Sequence, residues 1–115
     1  MIIRKEFGFE AAHCIHNHAG KCRNIHGHSY KLLVSLEGQI NPETGMVIDF
    51  NDLSNIVQEN IIRRLDHTIL NDIIPLATAE QIAIWIWDEL KPLIPDLHML
   101  EIFETARNCV IYQGH

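Results

Sequence analysis

The sequence predicts an α+β domain: an antiparallel four-stranded sheet with two helices on one face, in the order ββααββ, over residues 1–115. Three observations lead there. Apolar residues alternate with polar ones near both ends of the chain, as in half-buried strands. The middle of the chain keeps helical apolar spacing twice in succession. Hydrophobic residues make up 47% of the sequence, enough for a packed core, and no linker or repeat divides it. Helices consecutive in sequence lie together on one face of such a sheet.

The first strand is expected over residues 3–13, with Phe7, Phe9, Ala11 and His13 on one face. A polar loop, His16 to Lys21, separates it from a second strand over residues 28–37, where Tyr30, Leu32, Val34 and Leu36 share a side. Asn41-Pro42-Glu43-Thr44-Gly45 has turn chemistry and leads into a short strand expected over residues 46–48. Asp49 or Asn51 can cap the first helix, whose apolar row is Leu53, Ile56, Val57, Ile61 and Leu65. Thr78-Ala79-Glu80-Gln81 reads as a capping box for the second helix, which places Ile82, Ala83, Ile86 and Leu90 on one stripe and stops near Pro92. Final strands are expected over residues 99–105 and 109–113. Four strands leave two open edges, which need covering or a partner subunit.

Bulk properties exclude several function classes. A net charge of −6 disfavours nucleic acid as a partner. No apolar run approaches the roughly 20 residues of a membrane span, and the first residues lack the apolar stretch of a signal peptide. With three cysteines and no export signal, a cytoplasmic location with reduced thiols is expected.

Five of the eight histidines fall between His13 and His28. His26 and His28 flank Gly27, so on an extended backbone both imidazoles point the same way. His13 ends the inward row of the first strand, where an antiparallel neighbour brings it alongside them. Three imidazoles suit a catalytic zinc with an open position, or a closed zinc site if Cys22 is the fourth ligand. Lys21 and Arg23 favour the Cys22 thiolate, which would equally serve as a base beside the metal. Cys14 and Cys109 read as packing residues. Asp66 beside His67 either sets the imidazole's tautomer for proton transfer or is a polar helix terminus. Glu104 ends the row of Leu100 and Ile102, so a carboxylate closes an apolar face. It needs a partner, either a ligand with paired N–H donors or a structural cation.

These landmarks, in order, resemble the 6-pyruvoyl-tetrahydropterin synthase / 6-carboxy-tetrahydropterin synthase family. They are Phe9-Glu10-Ala11-Ala12-His13, Cys22 ahead of His26-Gly27-His28, and Gly45-Met46-Val47-Ile48-Asp49-Phe50. Leu65-Asp66-His67 with Leu70-Asn71, then Thr78-Ala79-Glu80, then Glu104-Thr105 complete the set. The resemblance implies the tunnelling fold, assembled as a homohexamer of two stacked trimers with active sites at subunit interfaces. It implies zinc on His13, His26 and His28, with Cys22 as the proton-abstracting base and Asp66 and His67 as the relay. Glu104, with Thr105, would hold the pterin, and Glu104 would also join the relay. The implied substrate is dihydroneopterin triphosphate. Three residues between Cys22 and His26, and the short chain, are similar to the bacterial carboxy-forming synthases of the queuosine pathway. The pyruvoyl synthases are the alternative, and a non-catalytic structural zinc module is the rival outside the family. Two departures are Cys14, where a basic residue is common, and Ala77, where proline is common. The first leaves Lys21, Arg23 or Lys31 as candidates for the phosphates.

Overall fold

A computed structural model describes residues 1–16 and 19–114, with Cys22 described only through its backbone. The strands β1 (Ile2–His13) and β2 (His26–Glu37) form a long antiparallel pair, which starts at Ile2 with Glu37 and ends at His13 with His26. β2 then pairs with β4 (Leu97–Phe103), and β4 with β5 (Cys109–Tyr112). A fifth strand, β3 (Thr68–Ile69), runs parallel to β1 at Ala11 and Ala12, so the order is β3-β1-β2-β4-β5. Two residues are too short to show any alternation, which is why pattern reading finds four strands and not five.

Asp49 caps α1 (Phe50–Val57) by accepting a hydrogen bond from the Asn51 N–H. The helix continues through a π segment (Gln58–Ile62) into α2 (Arg63–Leu65). Thr78 caps α3 (Ala79–Leu90), its hydroxyl accepting from the Gln81 N–H at 3.2 Å. The helices cover one face of the sheet. There Phe7, Phe9, Leu32 and Val34 from the strands meet Leu53, Ile61, Ile82 and Ile86 from the helices.

The strand expected over residues 46–48 does not form. The loop instead closes on itself, with the Asn41 N–H bonded to the Met46 carbonyl and the Gly45 N–H to the Asn41 carbonyl. Gly45 sits at φ +74°, a conformation other residues adopt at a cost. Cys109, expected to pack inside, is exposed at the start of β5, a short strand on the sheet's edge. Among the described residues no helix is long and apolar enough to cross a membrane.

Candidate functional site

The inward row of β1 runs Phe7, Phe9, Ala11, His13, and the inward row of β2 runs Leu32, Tyr30, His28, His26. Pairing of Ala11 with His28 and of His13 with His26 gathers the three imidazoles at the end of the apolar layer. Their ring centroids lie 4.6, 4.9 and 5.1 Å apart, and one nitrogen from each falls within 4.8 Å of the others. The site is thus where the core between sheet and helices turns polar.

Main-chain carbonyls orient two of the rings. His13 Nδ1 lies 2.7 Å from the Ala77 carbonyl and His26 Nδ1 lies 2.8 Å from the Asn24 carbonyl. A carbonyl only accepts, so each Nδ1 carries the hydrogen and each Nε2 keeps its lone pair for an ion. His13 Nε2 and His28 Nε2 are buried and make no hydrogen bond. Burial is the main cause that holds His28 below the ordinary histidine value. Glu104 opposes it, and His13 and His26 reinforce it. Three converging imidazoles, each offering one nitrogen within 4.8 Å of the others, are in their neutral form a donor set that a zinc ion takes, so the residues fit the metal.

Glu104 lies one residue beyond β4. The last β2–β4 pair is Lys31 with Phe103, which sets Glu104 across from Tyr30 and beside His28. Its Oε1 approaches His28 Nε2 to 3.4 Å, and no Lys or Arg among the described residues pairs with it. Burial, and after it Glu104, push the Tyr30 phenol far above its ordinary value, so Tyr30 remains a protonated donor. Glu104 also borders a cleft of about 420 Å³ that it shares with Glu80, Arg107 and Asn108.

Asp66 and His67 lie elsewhere. They border a hollow of about 470 Å³ on the other face of the sheet, with Glu6, Glu10, Ser29 and Lys31. Asp66 Oδ1 accepts from the Glu10 N–H at 2.8 Å, and Asp66 Oδ2 is 3.0 Å from His67 Nδ1. The Glu10 N–H is the first cause, and the His67 side chain the second, that hold the Asp66 carboxyl below its usual range. His67 has φ +59°, a left-handed conformation that costs a non-glycine residue about 1–2 kcal/mol. Thr105 turns from Glu104 toward a third hollow beside Ser29, Lys31 and Phe103. Lys31 sits over the Phe103 ring at 4.3 Å on that same face, away from the triad. The side chain of Cys22, expected to be the base, lies outside the described residues.

Two contributors leave no sequence signal of their own, the carbonyls of Ala77 and Asn24. A third, Asn71, is one of the landmarks of the resemblance but carries no role there. Its side chain accepts from the Cys14 N–H (2.9 Å) and donates to the Cys14 carbonyl (3.0 Å) and the Pro75 carbonyl (3.1 Å). It fixes the end of β1 one residue past His13.

The family model for 6-pyruvoyl tetrahydropterin synthase matches residues 2–115. The chain belongs to that family. It is accordingly an enzyme of the pterin synthases. It is 42% identical over 118 residues to the Synechocystis 6-carboxy-5,6,7,8-tetrahydropterin synthase, covering 96% of this chain and 92% of that one. It is 39% identical over 104 residues to the human 6-pyruvoyl tetrahydrobiopterin synthase, covering 83% and 72%. The fold is that of the Caenorhabditis elegans 6-pyruvoyl tetrahydropterin synthase structure, at TM-score 0.92 and 28% identity, covering 100% of this chain and 96% of that one.

Proposed function

We propose that the chain is a zinc-dependent 6-carboxy-5,6,7,8-tetrahydropterin synthase, a cytoplasmic enzyme of queuosine biosynthesis. It would convert 7,8-dihydroneopterin triphosphate and one water to the carboxy-tetrahydropterin, acetaldehyde and triphosphate. The observation that carries the reading is the convergence of two orphaned, buried imidazole nitrogens, one of them 3.4 Å from the Glu104 carboxylate, which itself borders a cleft. His13, His26 and His28 would hold the ion. When bound, zinc supplies Lewis acidity to the substrate's side-chain hydroxyls and eases loss of the neighbouring protons.

Glu104 is well placed to accept the paired N–H donors of a pterin edge, and Thr105 is the second expected pterin contact. Cys22 takes the proton and His67, backed by Asp66, returns one. Oxidation of the side chain is balanced by reduction of the ring, so no redox cofactor is needed. Within one chain Asp66 and His67 border a different face from the triad, which supports a site completed by a second subunit. Among the described residues no further strand joins the sheet beyond β5, and β3 covers β1 only at Ala11 and Ala12, which supports assembly into a homohexamer of two trimers.

The near-complete overlap with the Synechocystis enzyme favours the carboxy product over the pyruvoyl alternative. Incubation with dihydroneopterin triphosphate, with mass spectrometry and aldehyde trapping, tests the reading. A 6-pyruvoyl product without acetaldehyde moves the chain to that alternative. No turnover by the zinc-loaded protein favours the structural zinc module.

A further inference from the structure

We propose that the main chain of Glu10 is a positioning element for His67. Its two backbone groups clasp the Asp66–His67 turn and fix which imidazole nitrogen is free to move a proton. The inference rests on the reading of His67 as a proton carrier and adds how the fold prepares it.

Glu10 faces Ser29 across β1 and β2, and both of its main-chain groups point the other way. Its N–H donates to Asp66 Oδ1 at 2.8 Å, and its carbonyl accepts from the His67 N–H at 2.6 Å. β3 continues the same stitching at Ala11 and Ala12. On the opposite side the Ser29 hydroxyl donates to the Glu10 carboxylate at 2.6 and 2.8 Å, so the clasping residue is itself pinned.

The turn being clasped is strained, since His67 holds φ +59°. Asp66 has both oxygens committed, one to the Glu10 N–H and one to His67 Nδ1 at 3.0 Å. A carboxylate only accepts, so Nδ1 carries the hydrogen. Nε2 is then the exchanging nitrogen, on a side chain 80% exposed beyond the edge of β1. The clasp thus sets both the place and the tautomer of an imidazole whose ring, among the described residues, is hydrogen-bonded to Asp66 alone.

Glu10→Pro in the full chain is the direct test. It deletes the N–H to Asp66 and leaves the β1–β2 ladder bonds in place, and proline is tolerated on an outer edge. It also removes the carboxylate that Ser29 holds, so Glu10→Ala, which keeps the N–H and loses only that carboxylate, is the control. The Asp66 carboxyl, followed by ¹³C NMR, should titrate at higher pH than in the parent. The ¹⁵N signals of His67 should show loss of the pure Nδ1–H tautomer. Turnover should fall about tenfold to a hundredfold, the range for a lost hydrogen bond to a charged group, with KM and zinc content unchanged. If the proline variant does not fold, the Glu10 amide signal of the parent decides the clasp, since it should move with the titration of the Asp66 carboxyl that it donates to. An amide that does not move overturns the proposal. Asp66→Asn is the second variant and tests the tautomer. Its amide oxygen still accepts from Glu10, but its NH2 faces Nδ1 and drives the hydrogen to Nε2. An unmoved Asp66 titration with the Nδ1–H tautomer kept in Glu10→Pro, or the Nδ1–H tautomer kept in Asp66→Asn, overturns the proposal. His67→Ala separates the two layers. Near-normal turnover there removes His67 as a proton carrier, while the NMR signals still judge the clasp.

Discussion

Replacing Asn71 by alanine should weaken the fold and the metal site together. The side chain makes three hydrogen bonds, two of them to both main-chain groups of Cys14 in part-buried surroundings and one to Pro75 at the surface. At about 0.5–1.5 kcal/mol for each part-buried bond and less for the exposed one, the loss sums to about 1–3 kcal/mol. For a chain of this size that is a fall in Tm of about 5–15 °C, readable by calorimetry on metal-free protein. Cys14 follows His13 directly, and His13 is otherwise fixed by the Ala77 carbonyl only six residues after Asn71. Loosening this junction moves a ligand, so zinc affinity should fall at least about tenfold, as when supporting contacts of ligands are removed. Competition with a chromophoric chelator measures it. Asn71→Asp sharpens the test, because it keeps the acceptor for the Cys14 N–H but sets a carboxylate against two carbonyls. It should be no better than alanine. A lower Tm with unchanged zinc affinity would show that His13 is held without Asn71 and would refute the reasoning.

Other substitutions probe the site directly. His28→Ala should lower bound zinc sharply by elemental analysis, and stoichiometric zinc in that variant would remove His28 from the ligand set. Cys22→Ala should lose about two to four orders of magnitude in turnover while keeping its zinc, whereas a closed site with Cys22 as fourth ligand would lose the metal. In the metal-free protein His28 is held below the unfolded value of 6.5, so the folded chain binds fewer protons than the unfolded one. Stability from this group is present above pH 6.5 and is lost as pH falls from there through the lower folded value. Urea midpoints of the parent and of His28→Gln should therefore converge on acidification. Curves that stay parallel would contradict this sign.

The legible parts of the sequence are those in which one physical signal repeats. Alternation in β1 and β2 shows which residues face the helices, and it carries His13, His26 and His28 inward with them. Thr78 and Asp49 announce helix starts because a short side chain must meet free N–H groups there. Glu104 stands out as a charge at the end of an apolar row, although the row extends one residue past its strand. The distances that orient the imidazoles are not legible, because Ala77 and Asn24 act through carbonyls that every residue possesses. Asn71 is legible as a landmark of the resemblance but not in its role, which appears only when the fold brings it to Cys14, 57 residues away. Asp66 and His67 are legible as a pair but not in place, since no pattern in one chain says which face of the sheet they border. Cys109 shows the converse limit: an apolar residue opening a short edge strand has little to pack against.

The π segment shows how a spacing that reads as a plain helix conceals a register shift. Leu53, Val57, Ile61 and Leu65 recur every fourth residue and all four are fully buried. On a helix of 3.6 residues per turn, each step of four drifts by about 40°, so three such steps carry the stripe about 120° off the sheet. A turn with i→i+5 bonding absorbs the extra residue and returns Ile61 and Leu65 to the core side. Asn60 meets the disturbed ladder there, its side-chain amide donating to the Ile56 carbonyl at 2.8 Å. Deleting Asn60 closes the buried spacing to four, three and four residues, the heptad-like pattern of a regular α-helix. The shortened chain should fold with the same core, bind zinc as before, and show a Tm equal to or above the parent's. Hydrogen exchange should show the amides of residues 57–62 protected as one continuous helix. A loss of more than about 2 kcal/mol, the scale of a core defect, would mean that the extra residue is required for packing and is not merely accommodated by it.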